Sequence, residues 1–234
     1  MVSVMSRDAE RFSEVGRGPL SRWSAVVYWA LVIEGLVVLT SLPGLVLLLL
    51  LDRSAGNAPL FALAAVPLGP SLAAAVFAWR QWLATPAGDR DLTPARHYLR
   101  GYRLNWRDVL QWWVPTLVLL AVLDINAAGG GPFALVAVLL GVAVLAWAGN
   151  ALVLSSVFAF RTRDVARLAA YYLAAKPGSG LGVVALVVIG GGIAVLATDW
   201  LLLLLLSVLV LLLVRNAGPV IADAKERFVR HDPS

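Results

Sequence analysis

Six long apolar runs, separated by short polar and basic stretches, dominate this chain. A helix needs about 20 residues to cross ~30 Å of hydrocarbon, and runs of that order bounded by charge match the requirement. Inside a bilayer every backbone N–H and C=O must find its partner within the protein, so an isolated apolar run crosses as an α-helix. Composition agrees. Of 234 residues, 60% are hydrophobic and 14% charged, with a mean hydropathy of +0.84. A soluble domain sits near 45–50% apolar and about 25% charged. Those figures exclude a soluble globular enzyme and a disordered chain. An outer-membrane barrel is excluded too, because its strands alternate apolar and polar residues. The predicted fold is all-α: a polytopic membrane bundle of six transmembrane helices with short amphipathic cytoplasmic helices.

The spans read as Trp23–Leu51, Pro59–Trp79, Val109–Leu123, Phe133–Phe160, Leu181–Ala197 and Trp200–Val214. The third, fifth and sixth are short and are expected to borrow flanking residues such as Trp106, Thr198 and Asn216. Pro43 interrupts the first run, and a proline inside a helix removes one hydrogen bond and tends to kink or end it. Thr40 and Ser41 are placed to patch the freed groups. Pro67, Gly69 and Pro70 mark a second break. The chain thus divides into an N-terminal segment (1–22), a six-helix domain (23–215) and a tail (216–234).

All but one of the nineteen basic residues fall on one side of these spans; the exception is Arg53. Arg7, Arg11, Arg17 and Arg22 precede the first span. Six arginines from Arg80 to Arg107 lie between the second and third, Arg161 to Lys176 between the fourth and fifth, and Arg215 to Arg230 after the last. The positive-inside rule makes that side cytoplasmic, so both termini are expected in the cytoplasm. The same distribution accounts for the pI near 10 and removes the case for nucleic acid. The first apolar run is too long for a signal-peptide core and lacks a small-residue cleavage site, so it is expected to be retained.

Thr93-Pro94 is a good helix start, with Thr at the cap and Pro at the first position. After it, Arg96, Arg100, Arg103 and Arg107 recur at three- and four-residue spacing and share a face. Ala95, Tyr98, Leu99, Tyr102 and Trp106 form the adjacent apolar face, which predicts an amphipathic helix lying at the membrane surface. Thr162–Ala175 repeats the plan, with Val165, Leu168, Ala169 and Tyr172 opposite Arg163 and Arg167. Arg107-Asp108-Val109 and Arg163-Asp164-Val165 are the same tripeptide, each expected to introduce a hairpin. Beyond Pro219, Val220, Ile221, Ala224 and Phe228 predict a short amphipathic tail helix.

Glu34 lies about 12 residues into the first span, or ~18 Å deep at 1.5 Å per residue. An acid at that depth is costly and is a candidate functional residue by default. Asn150 lies 11 residues before Arg161, ~16 Å deep. A Glu34–Asn150 hydrogen bond is therefore predicted, with Thr116 or an arginine as fallback partner. Two roles stay open for this intramembrane polar site: interhelical glue, or a ligand or proton site. Gly190, Gly191, Gly192, Ala146 and Gly149 would allow close helix approach. Trp29 and Trp147 flank the two polar residues and either line a cavity or fill one. The Arg96–Arg107 stripe either attracts anionic lipid or docks a partner protein. No catalytic motif, cofactor fingerprint or phosphate loop is present. With no cysteine, and with His97 and His231 both in polar segments, no metal site is expected.

Thr40-Ser41-Leu42-Pro43, then Pro67-Leu68-Gly69-Pro70 with Ala73-Ala74-Ala75, then the run from Tyr98 to Trp106 resemble the YesL-like bacterial membrane proteins. Those show an S-L-P element, a G-P-x-x-A-A element and an aromatic-x-x-aromatic-x-x-N-aromatic run in this order. The resemblance covers roughly the first half, and more loosely Thr162–Ala175 and Glu226-Arg227-Phe228. The family has no established activity, but its genes often lie beside carbohydrate-uptake transporters and glycoside hydrolases. The resemblance therefore implies a non-enzymatic accessory or regulatory role in carbohydrate uptake, with membrane lipid and transporter subunits as partners. The alternative is a small secondary transporter using Glu34 and Asn150. Reporter fusions test the topology: a fusion at Asp199 should report the periplasm and one at Arg163 the cytoplasm. Both in one compartment would overturn it.

Overall fold

The computed structural model describes residues 19–52, 54–86, 90–158, 160–196 and 199–228. Arg7, Arg11, Arg17, Arg53, Arg230 and His231 lie outside the described residues, as do the side chains of Arg22, Asp199, Trp200 and Phe228. Among the described residues every regular element is helical. They are α1 (Pro19–Leu50), α2 (Ala58–Ala64), α3 (Leu68–Ala84), α4 (Pro94–Ala128), α5 (Ala134–Val157), α6 (Thr162–Ala175), α7 (Pro177–Leu196), α8 (Asp199–Asn216) and α9 (Gly218–Phe228). Four of these, α1, α4, α5 and α7, are long and apolar enough to cross a membrane on their own. Two bent pairs, α2–α3 at 41° and Leu201–Asn216 with Gly218–Arg227 at 47°, bring the number of spans to as many as six.

The bundle is arranged around α3, which packs on α1, α4, α5 and α8. Its Ala73, Ala74, Ala75 and Ala78 are fully buried. Small residues permit the close helix contact on which association in lipid depends, because lipid tails are as apolar as leucine. One apolar cluster joins Trp29, Ile33 and Val37 of α1 to Trp79 of α3 and Val210, Leu211 and Val214 of α8. The other joins Val109, Trp112 and Leu117 of α4 to α5, and continues into Val165 and Ala169 of α6 and Val220 and Ala224 of α9. Large exposed apolar side chains line the outer faces, with Val195 and Leu196 of α7 the most open. Surface of that kind is stable only against lipid.

Several expectations require correction. Pro43 does not end or break the first span, since α1 runs on to Leu50. The backbone is held on both sides of the proline by α3 and its approach. Thr40 and Ser41 bond Ser71, and Gly44 presses so closely on the Ala64 carbonyl that a Cβ would collide with it. The surface helix after Thr93 and the third span are one continuous helix of 35 residues with Pro115 inside it. Its basic first half therefore extends the span and does not lie flat beside it. Thr93 precedes α4 as predicted, but its hydroxyl donates to Asp91 Oδ2 (2.6 Å) and caps no helical N–H. The repeated tripeptide has two settings: Arg107-Asp108-Val109 is mid-helix in α4, whereas Arg163-Asp164-Val165 opens α6. Gly191 and Gly192 meet no neighbour within 4 Å, while Gly149 sits against Val183.

The break at Pro67 has a local cause. Pro67 and Pro70 both lack an N–H, so the α2–α3 junction leaves carbonyls to be satisfied. Trp113 Nε1 donates to Ala65 O (3.0 Å), which also accepts from the Leu68 N–H (3.2 Å), and so fastens the junction to α4. Gly69 makes this possible, because a Cβ there would lie 2.5 Å from the Trp113 ring. At the tail, Asp223 of α9 accepts from Tyr172 of α6 (3.0 Å) and pairs with Lys176 (3.0 Å) and Arg227 (2.9 Å). The Tyr172 and Lys176 links, with the buried Val220 and Ala224, dock α9 on the end of α6, while Arg227 pairs with Asp223 within α9.

Gly101 sets the α3–α4 spacing, since a Cβ there would lie 2.7 Å from Phe77 Cβ. Gly101→Ala should cost about 1–3 kcal/mol by overpacking. Gly191→Ala, into open space, should be neutral or stabilising by up to ~1 kcal/mol through helix propensity. Thermal unfolding of the two variants in detergent distinguishes them.

Candidate functional site

Several buried polar side chains, Glu34, Ser41, Ser71 and Ser207, meet where α1 packs on α3 and α8. Glu34 is nearly enclosed, at 7% exposure. Its Oε2 accepts a 2.6 Å hydrogen bond from the backbone N–H of Ser207 in α8. The Ser207 hydroxyl in turn accepts from Trp79 Nε1 (3.2 Å). Glu34 Oε1 is buried and has no hydrogen-bond partner. One acid thus ties α1 to α8, and α8 to α3, through a single serine.

Six residues further along α1, Thr40 Oγ1 lies 2.7 Å from Tyr98 Oη of α4 and 2.8 Å from Ser71 Oγ of α3. Ser41 Oγ donates to Ser71 Oγ (3.0 Å), and Ser71 Oγ is within reach of Pro67 O (2.8 Å). Thr40 also reaches back to Leu36 O at 2.8 Å. Four hydroxyls from three helices therefore share one buried network. Hydrogen bonds of this kind in lipid replace unsatisfied polar groups and fix which helices meet.

Below this network lies an aromatic layer. Trp29 packs on Trp82 (4.7 Å between centroids), Trp79 (6.1 Å) and His97 (5.7 Å). Its Nε1 donates to Asp91 O (3.3 Å) and so pins the α3–α4 turn to α1. In that turn the Thr93 hydroxyl, and then His97, hold the Asp91 carboxyl below the usual carboxylate range. His97 Nε2 lies 3.0 Å from Asp91 Oδ2. Trp29 therefore fills the core.

The predicted Glu34–Asn150 hydrogen bond is not formed. Asn150 sits on α5, whereas α1 packs on α3, α4 and α8. Equal depth brought the two residues to one level but on different sides of the bundle. Asn150 is 2% exposed, and both its amide atoms are buried without a partner. Thr116 is buried in α4 and bonds back to Trp112 O (2.7 Å). Ser71, Tyr98, Ser207 and Trp79 were not anticipated as site residues. Ser207 had a visible signal, as the lone polar residue of an uninterrupted leucine and valine run. Tyr98 reads only as one residue of the apolar face of a helix at the membrane surface, which gives it no polar partner.

Arg96, Arg100, Arg103 and Arg107 are all exposed. They form one face of α4, opposite the buried Tyr98, Gly101, Val109 and Trp112. None has an acidic partner among the described residues; Arg107 instead lies over the Trp106 ring at 5.0 Å. Among the described residues no group of three or more histidines or carboxylates could hold a metal ion. Compared with family models, with curated proteins and with solved structures, the chain has no match.

The Thr40–Tyr98 contact gives a direct energetic test. A double-mutant cycle with Thr40→Val and Tyr98→Phe should show a coupling of about 0.6–1.7 kcal/mol, the range for buried hydrogen bonds between membrane helices. Additive effects would remove Tyr98 from the network.

Proposed function

We propose that this multi-pass membrane protein is a non-enzymatic accessory subunit of the bacterial plasma membrane, with both termini cytoplasmic. It works by presenting the basic face of α4 to a membrane partner. The observation that carries this reading is the stripe of Arg96, Arg100, Arg103 and Arg107 on a rigid helix, exposed and without acidic partners among the described residues. Exposed Leu99, Leu104 and Trp106 flank it, a mixed apolar and cationic surface suited to a partly membrane-embedded contact. The orientation rests on the distribution of basic residues described above. The resemblance to YesL-like proteins directs the choice of partner to a carbohydrate transporter with an acidic cytoplasmic surface.

The test is replacement of Arg100 and Arg103 by glutamate, far from the buried network. Association with a transporter subunit and sugar uptake should both fall to the level of a deletion strain, with membrane insertion unchanged. Wild-type uptake in the deletion strain would contradict the role.

A second reading, a small secondary transporter, is favoured by one feature: Glu34 Oε1 and the Asn150 amide are buried and unpartnered. Against it, the two residues do not converge on one site, as midplane transporter sites do. Flux that disappears in folded Glu34→Gln would favour this second reading over the first.

A further inference from the structure

A cavity of about 240 Å³ opens where the middle of α4, the end of α5 and the start of α6 meet. Its lining is mostly apolar, with Phe77, Leu104, Trp112, Phe158, Phe160 and Val165 among its walls. The depth of this cavity follows from α4. From Val109 to the end of the helix at Ala128, about 20 residues rise ~30 Å, the thickness of the hydrocarbon core. The edge of the hydrocarbon therefore falls beside Arg107 and Asp108, and Asp108 lines the cavity. The neighbouring span agrees: α5 ends at Val157, and Phe158 and Phe160 follow as cavity walls. An apolar hollow thus sits at headgroup level.

Cations gather at the same level. Gln111, one turn beyond Arg107 on α4, accepts a 2.6 Å hydrogen bond from the Thr162 hydroxyl at the start of α6. That bond sets the inner end of the α4 arginine stripe beside the first turn of α6. There Arg161 and Arg163 flank Thr162, and Arg167 follows one turn on. All four arginines are exposed, and none pairs with an acid among the described residues. Asp108 and Asp164 offset two of the four charges, which leaves the corner at +2. Arg96 and Arg100 stand apart. They lie roughly 10–16 Å further out along α4, past a headgroup layer of about 5–8 Å.

We propose that this corner holds an anionic phospholipid, with its phosphate on Arg107, Arg161, Arg163 and Arg167 and its glycerol and first acyl carbons in the aromatic cavity. Guanidinium groups match phosphate oxygens two at a time, and here they are free to do so. A net positive corner prefers a headgroup that carries net negative charge over a zwitterionic one. The basic face of α4 is then divided, its inner end given to lipid and its outer arginines left for a protein partner. The inference needs the bundle to be in a membrane, but it does not need the partner-docking role.

The full chain, in nanodiscs containing equal parts phosphatidylglycerol and phosphatidylethanolamine, tests this by native mass spectrometry. Phosphatidylglycerol should be retained in preference. The preference should fall about fivefold for each arginine removed in Arg107→Gln and Arg163→Gln, the scale of one cation beside an anionic leaflet. Asp108→Asn, which removes an opposing charge, should raise it. Arg96→Gln with Arg100→Gln, beyond the headgroups, should leave it unchanged. These side chains are exposed, so the unfolding temperature should stay constant and separate lost lipid from lost fold. Excess soluble glycerol phosphate should not displace the lipid. Displacement would show that the anion alone is recognised and would overturn the membrane as its source. Equal retention of both lipids, or a preference lost equally in the Arg96 and Arg100 variant, overturns the proposal.

Discussion

The structure depends on how closely α3 lets its neighbours approach. Lipid supplies no hydrophobic force between helices, so contact area and polar ties must hold the bundle. A helix faced with Ala73, Ala74, Ala75 and Ala78 meets the first need. Ser71 and Trp79 on the same helix meet the second, by joining Thr40 and Ser41 on one level and Ser207 on another. The proline-rich junction ahead of α3 belongs to the same scheme, since Gly69 admits the Trp113 ring, whose bond to the Ala65 carbonyl ties the junction to α4. Each element around α3 is thus placed by a small residue, a hydroxyl or an indole.

Much of this was legible in the sequence. Long apolar runs report helices, and α5, α7 and α8 lie close to the predicted spans. The α6 bounds agree at Thr162–Ala175, with Val165, Ala169 and Tyr172 buried and Arg163 and Arg167 exposed, because amphipathic spacing is a local property. What periodicity does not carry is azimuth. The depth of Glu34 followed from counting residues, but its partner depends on which helices are neighbours, and that is decided by packing on α3. The same gap explains Tyr98, read as part of the apolar face of a surface helix and found fully buried with its hydroxyl on Thr40. Pro43 misled for a related reason: a proline's local cost is outweighed when contacts hold the helix on both sides of it.

The two sides of α3 differ in character. On the α1 side, nearly every polar atom described has a partner, Glu34 Oε1 being the exception. On the α4–α5 side, Trp112 Nε1 and both atoms of Asn150 are left over. A satisfied network makes for a fixed scaffold. Function is better sought on the exposed arginine face of α4 than at the buried acid that first draws the eye.

The natural absence of cysteine makes the helix arrangement directly measurable. With Ser41→Cys and Ser71→Cys in one chain, the two sulfurs would replace hydroxyl oxygens 3.0 Å apart, about 1 Å more than an S–S bond and close enough for side-chain rotation to join them. Mild oxidation in native membranes should cross-link that pair rapidly and leave a Glu34→Cys, Asn150→Cys chain open. Cross-linking of the second pair with none in the first would contradict the placement of α1 against α3, and with it the whole arrangement.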